Sequence, residues 1–548
     1  MGFLQSHRIV KFCLVFLVIV LVLSGSYYGY SKMREEKPYF TVVVDCGSTG
    51  TRVNVYEWRL TGGGNGDLPN LLHSYPDDSR KSPMWNNGCH YHCMQTEPGL
   101  DEFVGNSSGV RASLEPLIHW AEGLVAQNRH MDTPVLVLAT AGLRRLPKED
   151  AKRVLEDVEN VIKEHSFMWT RGWIRLLSGR EEAQYGWIAL NYKMGRLISP
   201  SRLPTLGLLD LGGSSLQIVM EAGDTRKDGH LLISKIGHIE HQLIAYSLPS
   251  FGLNNAFDRT VSMLTQVNSI GNEGRSEVRH PCLSSRFVGN YSCSSCSKPY
   301  SLLRLVGDPN WGKCKIVAKA AAMNRSFGYW SEPRLDSSCR RDSPTDGQYS
   351  SQRRLLTDPS LLRVVLTIGA RFTGKNVLNI HINTDPGVQY HALSGFFAVY
   401  NMLNLTAKAN LTKIWEKAQD LCSHTWDDLE NSSGSRYCFK VLYLAFLLED
   451  GLCLGEADII FGPGDISWTL GASLVGGELL WRRNCGTSIA ITAPQYIEVI
   501  SSPIVLFIVL LVLFFVVYHC QIKLPKPRKR SFVGQPLPSY NYPEHHPR

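Results

Sequence analysis

Thr41-Val-Val-Val-Asp45-Cys-Gly47-Ser48-Thr49-Gly50-Thr51-Arg52 runs on into Val53-Asn-Val55-Tyr-Glu-Trp58. β-Branched residues lead to an acid, then to a turn of glycines and small hydroxyls, then to alternating apolar positions. That order spells a β-hairpin with the tip Asp-x-Gly-Ser-Thr-Gly-Thr. The plan returns at Leu206-Gly-Leu-Leu-Asp210-Leu-Gly212-Gly213-Ser214-Ser215-Leu-Gln217-Ile-Val219. One such tip is an ordinary turn, because Asp and Gly crowd hairpins of every kind. Two copies, with acids 165 positions apart, match two similar domains that each lend a hairpin to a shared cleft. Glycines let backbone N–H groups approach phosphate oxygens, and small hydroxyls add donors without bulk. An Asp ending each first strand, Asp45 and Asp210, suits a divalent cation. No GxxxxGK[ST] loop occurs in the chain.

Outside the hairpins, charge decides what the 548 residues are not. The chain carries 57 Lys+Arg against 49 Asp+Glu, a net of +8. Residues 1–11 hold +2 and residues 519–548 hold +5, so seven of the eight charges sit at the ends. The body between is close to neutral, which argues against a nucleic-acid partner. Each basic end abuts an apolar run: 12–30 is 19 residues without a charge and 499–518 is 20. Both fit membrane-spanning helices, the first also resembling a cleavable leader. Lys and Arg stay on the cytosolic side, which places 31–498 in the lumen or outside the cell, at the Golgi, endomembranes or plasma membrane. All six N-x-[ST] sequons, at Asn106, Asn290, Asn324, Asn404, Asn410 and Asn431, fall in that segment. So do 12 of the 14 cysteines. Spacings such as Cys282/Cys293/Cys296/Cys314 and Cys422/Cys438 suit disulfides in an oxidising compartment. Cys89-His90-Tyr91-His92-Cys93 lacks a second ligand pair for a metal and reads as a disulfide loop.

Five blocks, in order, resemble the nucleoside triphosphate diphosphohydrolases, or apyrases. They are Val44–Arg52, Ala139-Thr140-Ala141-Gly142-Leu143-Arg144, Ser178-Gly-Arg-Glu181-Glu182-Ala183-Gln-Tyr185-Gly-Trp187, Leu209–Gln217 and Ile466-Ser-Trp468-Thr-Leu-Gly471-Ala472. The resemblance covers roughly residues 39–480 and is of the membrane-bound, plant type. Departures are small: Cys46 and Ser214 stand where Ala is commoner, Leu216 where Thr is usual and Ala183 where Gly is usual. The resemblance implies an α/β, two-lobed fold of the actin/sugar-kinase/chaperone-ATPase kind, its active site in the interlobe cleft, flanked by two transmembrane helices. Lobe one is expected at 37–177 with 459–481 returning, and lobe two at 178–458. The segment 271–346, rich in Ser, Arg and Cys, reads as a disulfide-stapled excursion.

Hydrolysis of a terminal phosphate needs neutralised phosphate charge, a positioned water and a base. The resemblance implies that Gly47, Ser48, Thr49, Gly50, Thr51, Arg52, Asp210, Gly212, Gly213, Ser214 and Ser215 bind the nucleotide. It implies Ca2+ or Mg2+ held near Asp45 and Asp210, on a nucleoside tri- or diphosphate substrate. It assigns the base to Glu182, with Glu181 as runner-up, and assigns the water and terminal phosphate to Thr140, Ser215 and Gln217. Sequence physics leaves other readings open: first-turn acids favouring a helix dipole for Glu181-Glu182, and a helix cap for Thr140. Arg144 is expected to brace the loops through an internal ion pair. Phe397, in His391-Ala-Leu-Ser-Gly395-Phe-Phe397-Ala-Val-Tyr400, is expected to stack on the base, against an amphipathic helix with buried aromatics. A chaperone-like ATPase or a catalytically silent receptor ectodomain would share both loops.

Overall fold

In a computed structural model of the chain, the residues described are 38–59, 68–76, 94–197, 203–222, 230–237, 239–268, 277–292, 303–323, 388–408, 410–424 and 436–477. The expected spans at 12–30 and 499–518, the basic ends, and Cys89, Cys93, Cys293 and Cys296 lie outside them. Among the described residues no helix is long and apolar enough to cross a membrane.

The first hairpin forms as its sequence dictates. β1 (Tyr39–Cys46) pairs antiparallel with β2 (Thr51–Arg59), placing Asp45 opposite Arg52 and Cys46 opposite Thr51. β3 (Asn70–Tyr75) extends the pair, and β4 (Gln95–Thr96) joins the start of β2. Then come α1 (Ser107–Leu124) and β5 (Val135–Ala139), which returns parallel to β1. After α2 (Ala141–Arg144) and α3 (Lys148–Ile162), β6 (Ile174–Leu176) adds parallel to β5. The order is β3-β2-β1-β5-β6.

α4 (Gly179–Lys193) leads to the second hairpin, β7 (Gly207–Leu211) and β8 (Ser215–Glu221), with Asp210 opposite Gln217. β9 (Leu231–Ile236) and β10 (Ile239–Pro249) form a second antiparallel pair, with β10 against β8 and β9 at the edge, followed by α5 (Leu253–Asn268). β11 (Glu277–His280), β12 (Val288–Tyr291) and β13 (Leu303–Gly307) make a small sheet, with α6 (Trp311–Ala322) after it. β14 (Gln389–Ser394), α7 (Gly395–Met402), α8 (Leu411–His424), α9 (Tyr437–Phe446), β15 (Asp458–Phe461) and the helix α10 at 468–477 follow among the described residues. The large second sheet runs β9-β10-β8-β7-β14-β15. On the parallel side of each hairpin the plan is the same, with β14 and β15 standing to β7 as β5 and β6 stand to β1.

Alternation along these strands sorts the core into layers. Val43, Leu136, Leu138, Tyr56 and Trp58 on one sheet, and Leu208, Val219, Leu243 and Ala245 on the other, enter one middle cluster with α4 and α10. The intervening residues of the first sheet, among them Val42, Val44, Val53, Val55 and Val137, pack under α1 and α3. Those of the second sheet, including Leu209, Leu211, Leu216, Ile218 and Ile244, join a third cluster with α5, α6 and α9. The chain therefore stacks as helix, sheet, helix, sheet, helix.

The middle layer is exchanged. α4 follows the first sheet's last strand yet packs on β7, β8 and β10 of the second. α10 follows the second sheet's last strand yet bonds the first: the Tyr56 and Thr469 hydroxyls lie 2.7 Å apart, and Trp58 Nε1 donates to Ser473 Oγ at 3.2 Å. The returning segment expected in lobe one is thus divided. Its strand, β15, pairs parallel with β14 in sheet two, and only its helix reaches sheet one. An apolar strand carries no mark of the sheet it will join. α4 and α10 cross backbone to backbone, since a Cβ at Gly471 would stand 2.0 Å from the Tyr185 carbonyl oxygen.

The described parts of 271–346 are core, not excursion. Val278, Cys282, Leu283, Leu305, Cys314 and Val317 are buried within the second lobe. Disulfides Cys282–Cys314 and Cys422–Cys438 form as the spacings suggest.

Candidate active site

Two rules of strand geometry build the site. Residues i and i+2 share a face, and opposed residues of an antiparallel pair share one too. Asp45 therefore looks the same way as Val43, and Asp210 the same way as Leu208, both toward the middle layer. Arg52 and Gln217 accompany them as cross-strand partners. The turns close alike: Gly47 N–H donates to Gly50 O at 3.0 Å, and Gly212 N–H to Ser215 O at 2.9 Å. The tips face each other, for a Cβ on Gly213 would meet Thr49 Cγ2 at 3.1 Å and Ser48 Oγ at 3.2 Å. Behind the second tip, the Leu253 and Asn254 amides donate to Gly212 O and Gly213 O.

Glu182 enters from the first turn of α4, and the two adjacent glutamates part company there. Glu181 closes a capping box with Ser178 and pairs with Arg175 at 2.7 Å. Those bonds hold its carboxyl below the usual range against partial burial. The helix-terminus reading is thus right for Glu181. Glu182, its side chain 11% exposed, faces the hairpins, and desolvation pushes its carboxyl up to about 7, with Arg144 opposing and Asp45 and Asp210 adding repulsion. Arg144 donates to Glu182 Oε2 at 2.8 Å, to Leu177 O at 3.0 Å and to Ser215 Oγ at 3.4 Å. Gln217 Nε2 donates to the same Ser215 Oγ at 2.8 Å. Base candidate, guanidinium, hydroxyl and amide thus form one connected set.

Burial also pushes Asp45 up, to about 6, against the pull of Arg52, whose Nη1 lies 3.5 Å from Asp45 Oδ2. Asp45 Oδ1 is buried with no hydrogen-bond partner. Asp210 is raised by burial as well, eased by a bond from the Ser394 hydroxyl. Two buried carboxyls and a third nearly so, all with raised proton affinity, and one orphaned oxygen make a place where a cation would replace missing positive charge. The donors are hard oxygens, which suit Ca2+ or Mg2+.

Of the other expected residues, Thr140 is buried at the end of β5 and makes no capping bond. Its hydroxyl donates instead to Cys46 O at 3.4 Å, beside the first tip. Arg52 also donates to Thr49 Oγ1 and Gln95 Oε1, bracing its turn. The Thr51 hydroxyl is buried and unpartnered. Phe397 is half-buried on α7, where its ring packs against Gly462 and Gly464, while Phe396, Val399 and Tyr400 enter the core.

Sequence reading missed Ser394 and the link formed by Arg145, Asp101 and Asn255. Ser394 holds Asp210 from a backbone at φ 53°, ψ −118°, a sparsely populated region for a serine. Its place one residue before the Gly395 that opens α7 was the available signal. Arg145 pairs with Asp101 at 2.9 Å in lobe one and reaches Asn255 at 3.4 Å in lobe two. Asp101 and Asn255 lie far from the quoted blocks, so no sequence signal marks them.

Two like-ordered sheets, each ending an acid-tipped hairpin at a common cleft, define an actin-like α/β nucleotide phosphatase fold. A crystal structure of nucleoside triphosphate hydrolases from Neospora caninum shares it, with a TM-score of 0.51 at 16% identity over 84% of this chain and 96% of that one. The chain belongs to the GDA1/CD39 (nucleoside phosphatase) family, whose model matches residues 31–327. It is 34% identical to probable apyrase 7 of Arabidopsis thaliana over 539 residues, 95% of this chain and 67% of that protein. It is 24% identical to mouse ectonucleoside triphosphate diphosphohydrolase 3 over 557 residues, 96% and 94% of the two chains.

Proposed function

We propose that this chain is an apyrase that releases terminal phosphate from nucleoside tri- and diphosphates. The observation that carries the reading is Glu182: largely shielded, ion-paired to Arg144, set between two carboxylate-tipped hairpins, with its carboxyl raised to about 7. A base near the working pH combines the right protonation state with useful driving force. The relatives' names, apyrase and ectonucleoside triphosphate diphosphohydrolase, point the same way.

The chain's own groups divide the work. Amides and hydroxyls of Gly47–Thr51 and Gly212–Ser215 cradle phosphate oxygens. Ser215 and Gln217 hold a water, and Thr140 steadies it or the terminal phosphate. Glu182 takes a proton from that water as its oxygen bonds to phosphorus. The bond to the bridging oxygen breaks, and the shortened nucleotide leaves. Arg144 keeps the Glu182 carboxylate aimed. Asp45 and Asp210 would hold Ca2+ or Mg2+, which neutralises phosphate charge. Phe397 is assigned to stacking on the base.

The topology read from sequence completes the proposal: spans at 12–30 and 499–518, basic ends in the cytosol, and a glycosylated catalytic body on the luminal or extracellular side. The four described sequon asparagines, Asn106, Asn290, Asn404 and Asn410, are all exposed, as glycan attachment requires. Phosphate release by the purified full-length chain from a panel of nucleotides, with Mg2+ or Ca2+, tests the activity. Steady turnover is expected. A single slow turnover would make the chain a nucleotide switch, and no release would make it a receptor-type relative.

A further inference from the structure

The geometry points to a second metal site, for a borderline divalent transition ion of the zinc class, on the outer face of lobe one. His119 and Glu122 lie one turn apart on α1 and so share a face. His165 arrives from the turn after α3. Glu122 takes His119 Nδ1 on Oε2 at 3.1 Å and His165 Nδ1 on Oε1 at 3.2 Å. One donor atom from each residue lies within 4.8 Å of the others. Donors around a tetrahedral ion with bonds of ~2.05 Å stand ~3.3 Å apart, and each histidine stands near that spacing from one carboxylate oxygen, His119 from Oε2 and His165 from Oε1. The wider gap closes by turning His119, whose side chain is 63% exposed, while His165 is held with 7% exposed.

Two imidazoles and one carboxylate are the donor set of an open three-ligand zinc site, with the fourth position left to water on the exposed side. Imidazole also favours this class over Ca2+ or Mg2+. Outer partners are in place as well. Ser166 N–H and Oγ approach Glu122 Oε1 at 3.4 Å, and Ser166 Oγ lies 2.7 Å from His130 Nδ1, fixing the carboxylate from behind. α1 packs on the face of the first sheet opposite Asp45, so this ion would take no part in phosphate chemistry. It would tie α1 to the connection between α3 and β6.

The test uses the full-length chain in detergent, stripped with chelator and returned to excess Mg2+. Zn2+ is then titrated in competition with a chromophoric chelator, and Co2+ is followed by its visible absorption. About one Zn2+ per chain is expected, with affinity falling on the order of 100-fold in His119→Ala and in His165→Ala. Asp45→Asn should leave this Zn2+ in place, which separates the two sites. Added Zn2+ should raise the melting temperature of the parent and not of His119→Ala, because only the bound folded state gains. His119 is exposed, so its variant keeps the fold. Equal Zn2+ affinity in parent, His119→Ala and His165→Ala would overturn the site, as would a parent that binds no Zn2+.

Discussion

The two hairpins share a backbone plan and differ in what stands across from the acid. In the first, Asp45 faces a cation, Arg52, which also ties Thr49 and Gln95. In the second, Asp210 faces a neutral amide, Gln217, which bonds Ser215. The charge of Arg52 thus stays beside its own hairpin. Lobe two instead offers hydroxyl and amide groups across the cleft to Arg144 and, beyond it, Glu182. One scaffold plan thus carries a braced, charged hairpin in one half and a neutral hydroxyl and amide pair in the other. The asymmetry comes from single side chains at equivalent register positions.

The largest break is expected where both halves converge. Glu182→Gln should lower kcat by about 10^2–10^4-fold, the usual worth of a positioned base, with melting little changed. Phosphate release at saturating nucleotide measures it, and near-parental turnover would falsify the assignment. Next is the exchange of helices that fixes the two halves. Gly471→Ala would drive a methyl into the Tyr185 carbonyl, so it should cost about 1–3 kcal/mol in denaturant unfolding.

Making the first hairpin resemble the second is a finer probe. Arg52 lowers the proton affinity of Asp45. Arg52→Gln should therefore move the acid limb of kcat/KM to higher pH, while the parent gains activity as pH rises through about 6 to 7. Stability follows the opposite slope. Asp45 and Glu182 hold protons more tightly folded than unfolded, so their contribution is full below the ordinary values of 3.8 and 4.5 and is lost as pH rises through about 6 and 7. In chelator, the parent should lose more melting temperature between those limits than Glu182→Gln does. The smallest effect belongs to Arg145→Ala, which removes a half-exposed link from Asp101 toward Asn255. It should cost less than ~1 kcal/mol in stability, read by the same unfolding curves.

Local sequence settled a good deal. Strand, acid, glycine turn and strand at Asp45 and Asp210 specify their hairpins, because turn chemistry and period-two alternation act within a dozen residues. The same alternation fixes which face carries each acid. Sequence could not separate Glu181 from Glu182 by physics, since both are first-turn acids. Only packing shows that one caps the helix and the other is desolvated. Nor could it assign β15 to its sheet, see that α4 and α10 trade partners, or find Ser394, Arg145 and the pair His119 and His165. Those outcomes depend on contacts between residues tens to hundreds of positions apart. Burial, and with it each shifted proton affinity, is a property of the assembled layers and of no segment alone.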